Sequence, residues 1–265
     1  MLNLSKIRLE VESIVREAGD LLLSYFKNGI SYKYKVGQGL VTEADLQSEK
    51  FLIDKLSQLL PQASLYAEES GAQGNSSFCW VIDPLDGTTN FVHNIPYFCI
   101  SVALTKNNKP ILGLVYQPFL NEMFSAVKGK GAFLNNCPIS VSATEALDQM
   151  FLVVGIPYDK TAPYLQEFVK YMPKLIEKTF AFRHFGAVAL DMAYVASGKC
   201  DAILFEDMFW WDFAAGSLLI QEAGGVVSDF SGGDITLDSK TLIGSNEAMH
   251  QVLRDFFERE KKGFN

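Results

Sequence analysis

The stretch Cys79-Trp80-Val81-Ile82-Asp83-Pro84-Leu85-Asp86-Gly87-Thr88 joins an apolar run to two acids, a glycine and a hydroxyl. The apolar run predicts a buried strand, and Pro84 stiffens its end because the ring fixes φ and removes the N–H donor. The residues from Gly87 onward are typical of a helix N-terminus, whose exposed backbone N–H groups can bind a phosphate. The stretch therefore predicts two carboxylates beside a phosphate site. Taken alone, it also fits a surface turn that an Asp and a Thr side chain cap.

The spacing of the two acids decides between two kinds of phosphatase chemistry. Haloacid dehalogenase phosphatases carry Asp-x-Asp-Gly-Thr at a strand end and use the first Asp as a nucleophile, whereas this chain has one residue more between Asp83 and Asp86. Because side chains alternate along a strand, the extra residue changes the direction of the second acid. Two close carboxylates repel each other unless a cation lies between them. Oxygen-only ligands, with the Leu85 carbonyl available as a neutral one, favour magnesium or manganese over zinc.

Three further acids lie at the ends of predicted elements, and each has a simpler explanation. Glu68 follows the apolar run Leu65-Tyr66-Ala67, and it also fits an exposed acidic turn. Asp212 begins an apolar helix and could serve only as its cap. Asp45 stands three residues after Thr42, which is the spacing of a capping box.

Composition and charge exclude several classes of function. The 265 residues carry a net charge of −8 without a basic cluster, so binding to a nucleic-acid backbone is not expected. An acidic protein that binds an anionic substrate needs local positive charge, which metal ions can supply. No run of about 18 apolar residues predicts a membrane span. Three dispersed histidines do not suggest a zinc site.

The compartment is predicted from the N-terminus and the cysteines. Charged residues interrupt the apolar pattern of the N-terminus, which is not typical of a signal peptide. Four scattered cysteines without a CxxC motif are typical of reduced thiols. We therefore expect a cytoplasmic protein.

Hydrophobic periodicity predicts two halves, 1–145 and 146–265, separated by the polar stretch 140–148. The first half carries helices over 4–25 and 42–60 and an antiparallel meander over 97–139, with Asn28-Gly29 as the stop of the first helix. In the second half strands and helices alternate, and they form a small sheet. The expected helices there cover 162–178, 186–197, 212–223 and 247–260, and the expected strands cover 151–156, 202–205, 226–230 and 242–244. The fold class is α+β, with helices packed on sheets.

Taken together, these segments resemble the inositol monophosphatase family of the fructose-bisphosphatase-like superfamily. The resemblance covers nearly the whole chain in the family's order, and two of its motifs are highly specific signatures. The matching segments are Val41-Thr42-Glu43-Ala44-Asp45, Glu68-Glu69-Ser70-Gly71, the stretch from Asp83 to His93, Gly129-Lys130-Gly131-Ala132-Phe133 and Trp211-Asp212-Phe213-Ala214-Ala215-Gly216.

The resemblance implies a layered αβαβα sandwich and hydrolysis of a small phosphate monoester by metal-activated water. Two or three Mg²⁺ ions are implied, with Mn²⁺ as a possible substitute, together with sensitivity to lithium and a homodimer. The implied substrate is myo-inositol monophosphate. The implied metal ligands are Glu68, Asp83, the Leu85 carbonyl, Asp86 and Asp212.

The resemblance also implies roles for the groups around the metals. Thr88, supported by Asp45, would orient and deprotonate the attacking water, and a third, weaker ion would lie near Glu68. The implied substrate-binding residues are Asp86, Gly87, Thr88, Gly186, Ala187, Val188, Glu206 and Asp212.

Two departures from the family pattern fall on the alcohol side of the site. Many members carry Ser or Thr where this chain has Ala187, and the segment 206–212 is one residue shorter and more aromatic than the common form. Asp207 could therefore replace Glu206 as the contact. The substrate could therefore be another phosphate ester, and the alternatives are fructose 1,6-bisphosphate, histidinol phosphate, NADP and 3′-phosphoadenosine 5′-phosphate. A mainly regulatory or interaction role is a further alternative.

Overall fold

The computed structural model describes residues 2–26, 29–35, 39–156 and 163–262. Its seven α-helices and fifteen strands follow one another, with one 3₁₀ turn, as α1 (Leu4–Phe26), β1 (Tyr32–Lys35), β2 (Gly39–Thr42), α2 (Glu43–Leu59), β3 (Ser64–Ala67), β4 (Gly71–Gln73), β5 (Phe78–Asp86), α3 (Thr88–Val92), β6 (Cys99–Lys106), β7 (Lys109–Gln117), β8 (Glu122–Val127), β9 (Ala132–Leu134), β10 (Cys137–Ile139), the 3₁₀ turn (Leu147–Gln149), β11 (Phe151–Val154), α4 (Pro163–Lys178), β12 (Ala181–Arg183), α5 (Val188–Ala196), β13 (Ala202–Glu206), α6 (Trp210–Glu222), β14 (Val226–Ser228), β15 (Thr241–Ser245) and α7 (Glu247–Lys262).

Two sheets carry most of the strands. The larger has eight strands in the order β10-β9-β8-β7-β6-β5-β3-β4, and it is antiparallel except where β3 runs parallel to β5. The smaller has five strands in the order β12-β11-β13-β15-β14, with β11 parallel to both of its neighbours. A separate hairpin pairs β1 with β2. The polar stretch 140–148 lies between the strands of the two sheets along the chain.

Helices and sheets alternate in five layers. α1 and α2 pack on one face of the large sheet, α5 and α6 lie between the two sheets, and α4 and α7 cover the far face of the small sheet. Strand β6 shows why both faces of the large sheet are buried: Ile100 and Val102 join the core under α1 and α2, whereas Cys99 and Ala103 join the core with α5 and α6. Because side chains alternate along a strand, one strand serves both layers. The expected αβαβα fold is confirmed.

The predicted elements differ from the structure mainly at their ends. The helix expected over 186–197 begins at Val188, and the one expected over 212–223 begins two residues early at Trp210. The strand expected over 151–156 ends at Val154. The β1–β2 hairpin was not predicted, because each strand has only four residues and β1 is almost wholly exposed. The predicted start of α4 at residue 162 and the predicted stop of α1 at Asn28 lie outside the described residues.

Close packing between α6 and the large sheet fixes the start of α6 near the end of β5. A Cβ on Gly113 of β7 would lie 2.9 Å from the carbonyl oxygen of Ala215 in α6, so any larger residue there would push the helix away. In the described part of the chain, no helix is both long and apolar enough to cross a bilayer.

Candidate active site

The end of β5 carries the two acids of the opening motif. The ladder between β5 and β6 shifts register between Asp83 and Asp86, so that both side chains are buried at the same strand end. Oδ1 of Asp83 accepts a hydrogen bond from the N–H of Leu85 at 3.0 Å. The turn that Pro84 stiffens therefore holds Oδ1 of Asp83 and leaves Oδ2 of the same carboxylate for another partner.

Asp86 caps a helix from another part of the chain. Its Oδ2 accepts a hydrogen bond from the N–H of Ala189 in the first turn of α5 at 2.7 Å. The N-cap residue of α5 is Ala187, which has no side-chain acceptor of its own. The alanine that departs from the family pattern is thus compatible with a well-capped helix, because Asp86 supplies the acceptor that the N-cap lacks.

Gly87 separates Asp86 from Thr88 and needs its missing side chain. Its φ is +92°, and a Cβ there would lie 3.0 Å from the carbonyl oxygen of Tyr97 and 3.1 Å from the Cβ of Ala187. The left-handed backbone and the crowded surroundings both require glycine. The buried methyl group of Ala187 therefore packs directly behind the turn.

Two acids reach the site from other elements. Glu68 follows β3, and its N–H donates to the carbonyl of Ile82 at 3.2 Å, which places it beside the end of β5. Asp212 lies in the first turn of α6, where its Oδ2 accepts the N–H of Phe209 at 2.7 Å. Asp212 is therefore a helix cap, as its simpler explanation proposed, and it also faces the cavity described below.

Thr88 and Asp45 form a hydrogen-bonded pair at the start of α3. Oγ1 of Thr88 lies 2.9 Å from Oδ1 of Asp45 and 3.0 Å from the carbonyl oxygen of Leu85. The other oxygen of Asp45 accepts the N–H and the hydroxyl of Thr42, at 2.9 and 2.5 Å, in the capping box of α2. Asp45 thus serves as a helix cap and as the partner of Thr88, because each use takes a different carboxylate oxygen.

These elements enclose a cavity of about 420 Å³ between β5, α3, α5 and α6. Most of the predicted site residues line it, but the structure places Asp45 and Ala187 behind its wall and Glu206 outside it. The lining residues are Leu40, Glu68, Asp83, Leu85, Asp86, Gly87, Thr88, Thr89, Asn90, Ile156, His184, Phe185, Gly186, Val188, Phe205, Asp207, Phe209, Trp211 and Asp212.

Asp207 lines the cavity in the place where Glu206 was predicted. Glu206 is the last residue of β13, pairs in register with Thr241 and is buried. Asp207 has a φ of +55° and donates its N–H to the carbonyl of Lys240 at 2.7 Å. A left-handed φ at a non-glycine residue costs free energy, and such residues are concentrated at functional sites. The shortened loop turns the second acid, rather than the first, toward the cavity.

Burial and mutual repulsion shift the pKa values of the clustered acids. Burial raises the pKa of Asp83 well above its usual range, and the charges of Glu68, Asp86 and Asp212 raise it further. Burial also raises the pKa of Glu68 to about 7 against the opposing effect of Lys35, and that of Asp86 to about 6 against the backbone donors of α5. Without a bound cation, the cluster therefore resists full ionisation.

The donor set fits hard divalent cations, although it is not assembled around one point. All candidate ligands are oxygens, and each of the three aspartates gives one oxygen to a backbone N–H, which is the usual orienting support of a metal ligand. Among the described residues, no three His, Cys, Asp or Glu side chains are gathered closely enough to hold an ion as they stand. Glu68 in particular is bound to Lys35.

Sequence reasoning missed two residues that organise this site. Lys35 of β1 binds Glu68 from 33 positions away, and no local pattern indicates such a contact. Asn90 donates from Nδ2 to the carbonyls of Tyr97 and Phe185, at 2.9 and 2.7 Å, and so joins α3 to the loop before α5. His93 is exposed, and its Nδ1 contacts the carbonyl of Thr89 at 2.9 Å.

Known proteins match the chain along almost its whole length. The family model described as "Inositol monophosphatase family" matches residues 3–261. The chain is 37% identical over 248 residues to a protein of Escherichia coli (strain K12) named "Nus factor SuhB", covering 91% of this chain and 92% of that protein. It is 38% identical over 239 residues to the inositol monophosphatase of Dictyostelium discoideum, covering 88% of each.

A solved structure agrees with these matches. The inositol monophosphatase from Anabaena (Nostoc) sp. PCC 7120 has a TM-score of 0.88 and 33% identity, covering 97% of both chains. Sequence and fold thus agree with the geometry around β5, and the chain belongs to the inositol monophosphatase family.

Proposed function

We propose that the protein is a Mg²⁺-dependent phosphatase that hydrolyses a small phosphate monoester, with myo-inositol monophosphate as the substrate. The observation that carries this proposal is that four acids, of which Asp83 and Asp86 are buried, line one cavity beside Gly87 and Thr88. The ligands would be Glu68, Asp83, the Leu85 carbonyl, Asp86 and Asp212. When bound there, magnesium supplies positive charge for the phosphate and lowers the pKa of water.

The chain's own groups orient the attacking water and the phosphate. The hydroxyl of Thr88 donates a hydrogen bond to Oδ1 of Asp45, so its lone pairs are free to accept a hydrogen bond from a water in the cavity. As that water attacks, its proton would pass to Oγ1 while the Thr88 proton passes to Asp45. The capping box holds Asp45 in place for this relay. Gly87 and Thr88 line the cavity, and their backbone N–H groups would donate to phosphate oxygens.

A panel of phosphate esters, assayed with Mg²⁺ and with EDTA, tests the proposal. We expect inositol monophosphate to have the highest kcat/KM, Mn²⁺ to restore activity in part, and lithium to inhibit at millimolar Mg²⁺. Hydrolysis that persists undiminished in EDTA would contradict the metal-dependent mechanism.

The metal-free protein should be less stable at pH 8 than at pH 5.5. Glu68, Asp86 and Asp83 have higher pKa values folded than unfolded, so the folded state binds more protons between about pH 4 and 7 and loses stability as the pH rises through that range. Burial lowers the pKa of His250, so this residue makes the folded state more stable as the pH rises toward about 6.5. Its effect is smaller than that of the acids, because it is one group against several.

Calorimetry in EDTA measures this pH effect. We expect the Tm to fall by about 5 °C from pH 5.5 to pH 8, and Mg²⁺ to raise it more at pH 8 than at pH 5.5. A metal-free Tm that rises toward pH 8 would show that the cluster is already neutralised by the protein.

Asp207, rather than Glu206, should recognise the alcohol. We expect Asp207→Asn to raise KM for inositol monophosphate about tenfold, since a carboxylate bond to a hydroxyl contributes about 1.5 kcal/mol. Its kcat/KM for p-nitrophenyl phosphate, which has no polyol, should stay within twofold of the unsubstituted enzyme. Glu206→Gln is the matched control, and an equal loss on both substrates would indicate damage to the fold instead.

Other alcohols are the main alternative within the same chemistry. Aromatic side chains form one wall of the cavity, and the rings of Phe209 and Trp211 stack at 4.7 Å with 10° between their planes. Such a wall favours a substrate with a flat base, as in NADP or 3′-phosphoadenosine 5′-phosphate. A higher kcat/KM for either compound than for inositol monophosphate would favour this alternative.

A regulatory role is the second candidate, motivated by relatives named Nus factor SuhB. A protein that acts mainly through partners would hydrolyse every ester of the panel weakly and retain a stable partner in a pull-down. We also propose that the protein is cytoplasmic and forms a homodimer. Sedimentation measurements test the homodimer.

A further inference from the structure

Lys35 points from the β1–β2 hairpin into the acid cluster. Its Nζ lies 2.6 Å from Oε1 of Glu68 and 2.7 Å from Oε1 of Glu69, and only 17% of its side chain is exposed. Lys33, two residues earlier on the same strand, is exposed. The hairpin therefore buries one of its two lysines, and it does so at an acid that the proposed metal centre needs.

Within the described residues, the ammonium group of Lys35 is the only one that forms an ion pair with a proposed metal ligand. Of the ion pairs within the described residues, the Lys35–Glu68 pair alone involves a carboxylate that lines the cavity. A divalent cation on Glu68 would meet an ammonium group already bound to Oε1 of the same carboxylate. Two cations at hydrogen-bond distance from one oxygen repel each other strongly where water is scarce.

Glu69 gives Lys35 a second position. It is bound by Lys35 at the same time as Glu68, but it does not line the cavity, and its backbone N–H is held by Oε2 of Glu49 at 2.7 Å. Lys35 can therefore release Glu68 and keep a partner at Glu69. This lowers the cost of the exchange, because a buried charge is costly mainly when it is left without a partner.

We propose that Lys35 is a tethered cation that occupies the Glu68 end of the metal centre and competes there with the metal ion. Binding of an ion at Glu68 displaces Lys35 onto Glu69 alone, so the β1–β2 hairpin and the occupancy of this end of the site are linked. The inference rests on the proposed function. Competition by Lys35 sets the metal concentration that is needed to occupy the Glu68 end of the site. It agrees with the observation that no three acids of the described residues are gathered around one point.

Direct titration with Mn²⁺, followed by the EPR signal of the free ion, tests this without any turnover. We expect Lys35→Met to lower the Kd of the weakest site at least about fivefold, because it removes the competing charge. Lys33→Met removes the same charge from an exposed position of the hairpin and should leave Kd within twofold.

Glu69→Gln should act in the opposite direction. Without its second position, Lys35 is held by Glu68 alone, so Mn²⁺ should bind about threefold more weakly at that end. General loss of negative charge would have the same sign, and the double variant separates the two causes. If Lys35 mediates the effect, Glu69→Gln changes nothing in the Lys35→Met background.

The outcomes are distinct. Equal or weaker Mn²⁺ binding by folded Lys35→Met would overturn the inference and make Lys35 a support of Glu68. If that variant does not fold, unchanged Mn²⁺ binding by Glu69→Gln still overturns the inference. An unsubstituted protein that binds no Mn²⁺ and hydrolyses no ester would remove the proposed function itself, and the inference with it.

Discussion

Replacing Asp83 with asparagine should nearly abolish turnover and, at the same time, stabilise the metal-free protein. Asp83 is the most centrally placed acid, since Glu68, Asp86 and Asp212 all act on its pKa. Losing this proposed metal ligand should remove at least about 4 kcal/mol of transition-state stabilisation, which corresponds to about a thousandfold lower kcat. Asparagine keeps the shape and can still accept the N–H of Leu85 through its Oδ1.

The stability change has the opposite sign because the charge is buried. An acid whose pKa is raised by burial destabilises the folded state at neutral pH, whether it stays charged or takes up a proton. Asparagine removes this cost, so we expect a Tm about 3 °C or more higher in EDTA. Mg²⁺, which we expect to raise the Tm of the unsubstituted protein, should no longer do so. Asp54→Asn, at an exposed position of α2, is the matched control for the loss of one charge. If Asp83→Asn keeps a tenth of the activity with Mg²⁺, Asp83 is not a ligand of the metal centre.

Replacing Thr88 with valine should lower kcat about 10²–10⁴-fold while metal binding is retained. Valine keeps the shape of threonine but cannot pass a proton from water to Asp45. Thr88→Ser restores the hydroxyl and should keep at least a tenth of kcat. Because the substrate still binds, KM should change little in both variants.

Asp45 and Thr88 should behave as one unit. Asp45→Asn should also lower kcat, because an amide cannot accept the relayed proton as a carboxylate does. The double variant with Thr88→Val should be no slower than the slower single variant, since groups that act together are not additive. Fully additive losses would show that the two residues act separately. A kcat of Thr88→Val within threefold of the unsubstituted enzyme would contradict the role of the hydroxyl.

Local chemistry made the acid-bearing segments predictable from sequence. The apolar run before Asp83 marks a buried strand, which continues past Pro84 through a register shift to Asp86, and Thr42 with Asp45 marks a helix start. These signals depend on neighbouring residues alone, so they can be read without the fold. The predicted meander became β6 to β10 for the same reason.

Contacts between distant segments could not be predicted in this way. Asp86 caps α5 across 103 positions, and Lys35 reaches Glu68 across 33, and neither contact leaves a periodic pattern in the sequence. The choice between Glu206 and Asp207 depends on a left-handed turn that begins where β13 ends. Sequence pattern cannot fix such a turn, because the pairing of β13 with β15 sets where it starts.

The sequence by itself therefore determined the acids, the strand ends that carry them and the kind of chemistry that oxygen ligands favour. Only the tertiary structure decided which oxygens face the cavity and which are bound elsewhere. The physical reason is that a carboxylate has two oxygens, and its surroundings in space decide how each is used. Asp45, Asp86 and Asp212 each support a helix with one oxygen, and Glu68 is held by a lysine.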